Sequence, residues 1–446
     1  MHIVLYSSNS NFYDYDNFSI KYFPACRKQF DRLFQANPHL KITVVSKIPA
    51  MFLVDFVNNE ISEKAENVNY ELNGIRENPE ETAAFIASLK PDLAVAATFW
   101  VTPLDWLSLN DSIIGSYLEK NKIKAWYHPL DTVKKCFDKN QTFEFLKANN
   151  FNHAKAVYVH HNLYWSERNH KEIKTNYYKN TVLDEIKNLT YPLIIKDTTG
   201  LSSYGMEVVK TFGEAKTFLN SKRNNSDRMV EEFIKGIPFG LEIWGDENNY
   251  FITPPLMFST NKYGITSPKQ SIKAGPVNYN DYNVHELNKD MLKLARLLHF
   301  KGIAQVDLMF EPESKNWFII EINPRLSGMT QTYGALYNSS IPEILYKISS
   351  SDFSIFKSDD FVLNIKFELL DKNIIDEISA LNFVKYISQT EDKAAKQERE
   401  KGYCEIVISG KSKEDLTNNL NKLEKEFGQY SEEDFFEAGR KLISQL

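Results

Sequence analysis

Three hard oxygen donors lie in two neighbouring apolar runs. Asp307 sits in Val306-Asp307-Leu308-Met309-Phe310, while Glu321 and Asn323 sit in Phe318-Ile319-Ile320-Glu321-Ile322-Asn323-Pro324-Arg325. If both runs are strands, alternate side chains share a face, so Glu321 and Asn323 point one way while Ile320 and Ile322 point into the core. An acid and an amide buried side by side are costly without a ligand. Asp, Glu and Asn suit magnesium, which takes a few protein oxygens and completes its octahedron with water and substrate phosphates. For any one of the three alone, capping of a strand end or turn is the simpler reading. The set, together with what lies upstream, reverses that preference.

Upstream, Tyr191-Pro-Leu-Ile-Ile-Lys196 is followed by Gly200-Leu-Ser-Ser-Tyr-Gly205. Small residues let backbone N–H groups approach phosphate oxygens, and Ser202 and Ser203 add hydroxyl donors. Alone, such a loop is an ordinary hairpin. Lys196 ends an apolar run, so its ammonium is either a fixed positive charge at a cleft or a surface group whose stem is buried. Arg325, beside two acids, carries a planar fork that matches phosphate and carboxylate.

These residues need elements to hold them. Residues 2–6, 42–45 and 93–97 read as strands, with a helix over 81–89, which implies a mostly parallel α/β layer. A helix near 113–119 and a strand-like stretch at 123–127 follow, and a boundary is expected near residue 125. Residues 131–149 read as one helix, and 162–180 as a polar, aromatic-rich surface excursion. A helix over 181–189 then leads into strands at 191–196, 205–210, 228–234 and 240–244, expected to form one antiparallel sheet. Residues 258–283 form a long loop carrying Lys262, Lys269 and Lys273, and loops of that length are commonly functional. A helix over 284–298 precedes the acid-bearing strands at 304–310 and 317–322. Beyond about 355, strands at 361–370 and 403–409 and a helix at 415–427 suggest a small α+β module. The charge run 391–401 reads as a solvated linker or helix face.

The 446 residues are 42% apolar and 25% charged, ordinary globular usage. There are 53 Lys and Arg against 59 Asp and Glu, a formal charge of −6, and no long basic run, so nucleic acid is not an expected partner. Cys26, Cys136 and Cys404 are too scattered for a disulfide framework or thiolate metal site, which fits a reducing, cytoplasmic setting. His160 and His161 would face opposite sides of a strand, and zinc spacing and a serine nucleophile elbow are both absent. The apolar start is too short for a signal peptide, and the longest apolar run falls well below the roughly 18 residues of a membrane helix. A membrane is therefore not an expected partner either.

The Asp on one strand and Glu-x-Asn-Pro-Arg on the next resemble the ATP-grasp superfamily over roughly residues 130–350. The run Asn323-Pro-Arg-Leu-Ser-Gly-Met-Thr330 is similar to the branch that includes carbamoyl-phosphate-synthetase-like proteins and amino-acid ligases. The resemblance implies that Asp307, Glu321 and Asn323 ligate two magnesium ions, or manganese in their place, bridging the phosphates of ATP. It implies that the 200–205 loop closes over those phosphates and that two lysines reach them. One is Lys196; the other matches Lys139 in Asp138-Lys139, with Lys134 and Lys135 as alternatives. Met229-Val-Glu-Glu-Phe-Ile234 resembles the adenine-binding linker, with Glu231 near the amino group and Glu232, Phe233 and Ile234 offering main-chain groups. Met309 is either the floor beneath adenine or a plain core residue. Pro238 stands where many relatives have a ribose-binding glutamate, which leaves Glu242 as the ribose candidate. Gln305 stands where many have an arginine, so Arg325 or Lys273 must supply that catalytic charge.

The implied fold is α/β and α+β: an N-terminal Rossmann-like pre-ATP-grasp domain over 1–125, a two-subdomain ATP-grasp body over 126–355 and a C-terminal α+β lid over 356–446. The implied activity is ligation of a small-molecule carboxylate to an amine through an acyl phosphate, on amino-acid-like substrates; a homodimer is compatible with it. The rival readings are an ATP-grasp carboxylase, a kinase and a nucleotide-binding protein without turnover.

Overall fold

The structure is a computed structural model that describes all residues except 9–17, 47–51, 59, 73, 100–106, 200–205, 261–271, 394–400 and 432. Val4, Val44 and Ala94 belong to short apolar runs buried throughout, the pattern of parallel strands covered on both faces. The strands His2–Ser7, Lys41–Ser46, Val68–Glu71, Leu93–Ala96 and Ala125–Trp126 pair in parallel, in the spatial order 68–71, 41–46, 2–7, 93–96, 125–126. The order reverses between His2–Ser7 and Leu93–Ala96, as it does in doubly wound sheets.

A second sheet is antiparallel, in the order Glu207–Val209, Leu193–Asp197, Arg228–Glu232, Ala156–Val159. The helices Tyr177–Lys187 and Phe212–Leu219 cover it, burying Val182, Ile186, Phe218 and Leu219 against Ile195 and Val230. Three expectations are corrected here. The strand around 240–244 belongs elsewhere, and Ala156–Val159 takes its place. The 162–180 stretch is no mere excursion, because Tyr164 (0% exposed) and Trp165 (5%) anchor it in this core. His160 caps the short helix His161–Tyr164, so the two histidines are not strand neighbours.

The third sheet has twelve strands and runs through the molecule. Its order is Asn316–Asn323, Gly302–Glu311, Ile237–Asp246, Leu256–Phe258, Lys273–Gly275, Phe361–Phe367, Gly402–Gly410, Val384–Asp392, Phe18–Phe23, Asp55–Val57, Glu60–Glu63, with Asn249–Ile252 paired to Ile237–Asp246. Ile237–Asp246 is apolar on both faces and almost wholly buried, which suits a central strand of a large sheet better than an exposed hairpin. One sheet thus carries strands from all three segments bounded near residues 125 and 355. The expected long loop is interrupted by Lys273–Gly275, which pairs with both Leu256–Phe258 and Phe361–Phe367. Residues 261–271, with Lys262 and Lys269, lie outside the described residues. Among the described residues no helix is long and apolar enough to cross a membrane.

Candidate active site

The acid-bearing strands Gly302–Glu311 and Asn316–Asn323 pair antiparallel, with Asp307 opposite Glu321 and Gln305 opposite Asn323. The register shifts after Asp307, where Leu308 meets Ile319, so Ile320 is an extra residue in a bulge. Strict alternation therefore fails. Ile319 and Ile322 enter the core, whereas Ile320 joins Glu321 on the cleft wall. Gln305, at the position expected to lack a useful charge, donates from Nε2 to Asp307 Oδ1 at 2.7 Å. Burial, then repulsion from Glu321, pushes Asp307 up to about 7. Burial also works to raise Glu321, but the ammonium groups of Lys139 and Lys196 outweigh it and hold that carboxyl below its ordinary range.

Both lysines are held by local structure. Residues 131–149 are not one helix: Leu130–Phe137 ends and Lys139–Ala148 begins at Asp138, whose extended backbone serves both ends. Asp138 Oδ1 accepts from Asn140 N at 2.8 Å and Gln141 N at 3.0 Å, an N-cap that breaks the run and turns Lys139 toward the cleft. Lys139 N donates to Thr198 O at 2.8 Å, tying the helix start to the four-stranded sheet. Its Nζ lies 3.1 Å from Glu321 Oε1. Lys196, on Leu193–Asp197, lies 2.7 Å from Glu231 Oε2 on the adjacent strand. Lys139, Lys196, Glu231, Ile320 and Glu321 thus line one cleft between the two antiparallel sheets.

The linker after Arg228–Glu232 is more constrained than its sequence implies. Glu232 N donates to Lys155 O at 2.9 Å and Phe233 N to Pro192 O at 3.1 Å, while Glu232 Oε1 accepts from Thr190 N at 2.8 Å. Both main-chain N–H groups are therefore already used. Ile234 N–H has no such partner among the described residues. Met309 is half-buried on the same strand face as Asp307. Ser202 and Ser203 lie outside the described residues.

Glu242 is the clearest correction. It is 0% exposed and its carboxylate is engaged by Ser327, Thr330 and Trp244, so it does not face a ribose. Arg325 is buried, and its charge acts on both Asp307 and Glu321. Lys273 lies 4.0 Å from Glu405 Oε1, and burial is the main cause of its lowered pKa, with Glu405 working the other way. Glu405 also meets Lys366 at 3.2 Å and accepts from Gln331 Nε2 at 2.7 Å. The tail therefore reaches the site, which the sequence reading missed. The available signal was charge inside otherwise apolar strands: Lys366 in Phe361–Phe367 and Glu405 in Gly402–Gly410.

Asp307, Glu321 and Asn323 offer two carboxylates and an amide oxygen, a donor set that fits magnesium. Among the described residues no group of three His, Cys, Asp or Glu side chains is placed to hold a metal ion, so the amide of Asn323 is needed to complete a set of three with the two acids. An ion on this set would take its remaining ligands from phosphate oxygens and water.

Residues 164–341 match the family model described as D-ala D-ala ligase C-terminus. The D-alanine–D-alanine ligase B of Clostridium tetani is 26% identical over 218 residues, 46% of this chain and 56% of that protein. A carbamoyl-phosphate synthase of Methanobrevibacter smithii is 21% identical over 140 residues, 31% of this chain and 37% of that protein. The chain thus matches little more than half of one of these relatives and well under half of the other. In three dimensions an L-amino acid ligase from Bacillus licheniformis superposes with a TM-score of 0.61 at 16% identity, covering 95% of this chain and 97% of that one. The matched sequence runs from the 162–180 stretch through the acid-bearing strands, and the shared fold extends over nearly the whole chain.

Proposed function

We propose that this chain is a member of the ATP-grasp superfamily and an ATP-dependent carboxylate–amine ligase acting on amino-acid-like substrates, a reading supported by its similarity to such ligases. The observation that carries this reading is the convergence of Lys139 and Lys196 on the Asp307–Glu321 pair across two sheets, with Arg325 buried alongside. Three cations and two acids gathered in one cleft fit a polyphosphate and its counter-ion, which the cations and the acids would respectively hold.

In the proposed reaction a carboxylate oxygen attacks the terminal phosphorus of ATP and the bond to ADP breaks. The amine nitrogen then attacks the acyl carbon, phosphate leaves, and the nitrogen gives up a proton. Lys139 and Lys196 bind phosphate oxygens, and Ile234 N–H meets the base. The guanidinium of Arg325 holds the transferring phosphoryl group or the acyl oxygen, its fork matching either. Lys273 supplies a second cation at the same point. Two magnesium ions, or manganese, held by Asp307, Glu321 and Asn323 would offset phosphate charge. We assign residues 1–125, 126–355 and 356–446 to the pre-grasp domain, the grasp body and the C-terminal module of a cytoplasmic enzyme, with a homodimer as its assembly.

The test is ADP release across a matrix of carboxylates and amines, followed by hydroxylamine trapping. With a productive carboxylate, ATP and magnesium but no amine, hydroxylamine should give a hydroxamate, because an acyl phosphate is a mixed anhydride. A kinase would accumulate a phosphate ester instead, and a non-catalytic nucleotide binder would give neither product. Arg325→Ala should suppress the hydroxamate far more than it weakens nucleotide binding.

A further inference from the structure

Glu242 has no exposed surface, yet its carboxylate makes three short hydrogen bonds. Ser327 Oγ and Thr330 Oγ1 each donate to Oε1 at 2.7 Å, and Trp244 Nε1 donates to Oε2 at 2.8 Å. Two of these donors come from a single segment. Ser327 is the N-cap of the helix Gly328–Leu336, its Oγ also accepting from Met329 N at 3.0 Å, and Thr330 Oγ1 accepts from Ser327 N at 3.3 Å. The helix start is therefore capped by its own residues and does not need the carboxylate for that.

The carboxylate instead holds the far end of a short, tight connection. Asn323 ends its strand, Arg325 N turns back to donate to Asn323 O at 2.9 Å, and Ser327 follows two residues later. Ile237–Asp246, which carries Glu242, also lies beside the strand of Asp307, with Gly240 opposite that residue. Glu242 thus links the strand next to one proposed metal ligand to the segment that begins with another and contains Arg325.

We propose that Glu242 is a positioning residue: through Ser327 and Thr330 it fixes the Asn323–Gly328 segment, and so sets the Asn323 amide and the Arg325 guanidinium against a magnesium-bound nucleotide. This rests on the reading of Asn323 as a metal ligand. Glu242 touches neither nucleotide nor metal, so its effect is confined to the magnesium-dependent part of binding. Contacts made by Lys139, Lys196 and the linker do not pass through it.

The test is calorimetric titration of the full chain with ADP, once in EDTA and once in saturating magnesium. Glu242→Gln keeps the shape of the side chain but replaces one acceptor oxygen with a donor. It should bind ADP in EDTA as the native chain does and lose about tenfold of the affinity that magnesium adds, the scale typical of groups that orient metal ligands. The double variant Ser327→Ala/Thr330→Val reaches the same link from the other side and should show the same loss. Combining all three substitutions should add little, because the residues act as one unit. A magnesium gain in Glu242→Gln equal to that of the native chain would overturn the positioning role, as would losses that simply add in the triple variant. If magnesium gives the native chain no gain, the metal reading of Asn323 falls along with the proposal. A native gain that survives Glu242→Gln removes the positioning role alone.

Discussion

Asp307 and Glu321 face each other directly across an antiparallel strand pair, two acids on one face with a bulge at the next step. Like charges so placed repel by up to about 1 kcal/mol. The repulsion is retained in the sequence although either residue could relieve it. Asp307→Asn should therefore stabilise the protein in EDTA at pH 8, where both acids of the native chain are ionised, by about 2 °C in Tm. The same variant should lose magnesium-dependent turnover. Differential scanning calorimetry with and without EDTA checks the first part, and an unchanged or lower Tm in EDTA would remove the repulsion argument.

Glu321 also receives Lys139 Nζ at 3.1 Å, so Lys139 serves the acid when no phosphate is bound. Lys139→Met should cost a charge-assisted hydrogen bond to nucleotide, about 2 kcal/mol, or roughly thirtyfold in ADP affinity. Glu321→Ala should instead leave ADP affinity in EDTA close to native and lower turnover by about 10²–10³. Equal effects of the two variants on binding in EDTA would contradict the separate roles.

Much of this site was legible in sequence because its residues sit in short runs with strong local patterns. Asp307, Glu321, Asn323 and Lys196 lie at strand positions that alternation identifies, and their strands fall within a residue or two of expectation. What escaped depended on longer range or on breaks in period. The bulge that turns Ile320 outward leaves no compositional mark, and the break at Asp138 hides inside an amphipathic run. The burial of Glu242 follows from donors 85 and 88 residues away, which no local pattern reveals. The pairing of Phe18–Phe23 with Val384–Asp392, at opposite ends of the chain, is likewise invisible to periodicity.

Glu405 ties the tail to the site through Lys366 at 3.2 Å and Gln331 at 2.7 Å, all three side chains being buried. Removing one partner of a buried ion pair leaves the other uncompensated, at a cost of about 3–5 kcal/mol. Glu405→Leu should show that loss in urea denaturation, and Lys366→Met/Glu405→Leu should recover most of it. If the double variant is no more stable than the single one, the pair is not the dominant interaction of Glu405.

His128 joins the parallel layer to the acid-bearing strands, and its hydrogen bonds define its protonation. Lys301 N donates to Nδ1 at 3.3 Å, so Nδ1 is an acceptor, and the proton sits on Nε2, 2.8 Å from Ile303 O. The ring packs edge-on to Phe300, and the His128 carbonyl accepts from Ser112 Oγ at 2.7 Å on the helix Leu107–Lys120. Burial lowers the ring's pKa from 6.5 to about 4, partly opposed by the Ile303 carbonyl. A base with a depressed folded pKa contributes stability that is complete above its unfolded value and is lost as pH falls through the folded value. The window is therefore pH 6.5 down to 4, and the contribution at stake is about 3 kcal/mol. A second proton would have to go to Nδ1, against the Lys301 N–H, so protonation opens this joint. His128→Phe cannot titrate; it loses the two hydrogen bonds at every pH but lacks this component. Urea unfolding at pH 7.5, 6, 5 and 4 should show the native chain losing its advantage over His128→Phe as pH falls. Parallel stability curves for the two proteins would mean that the ring charges as readily in the folded chain as in the unfolded one.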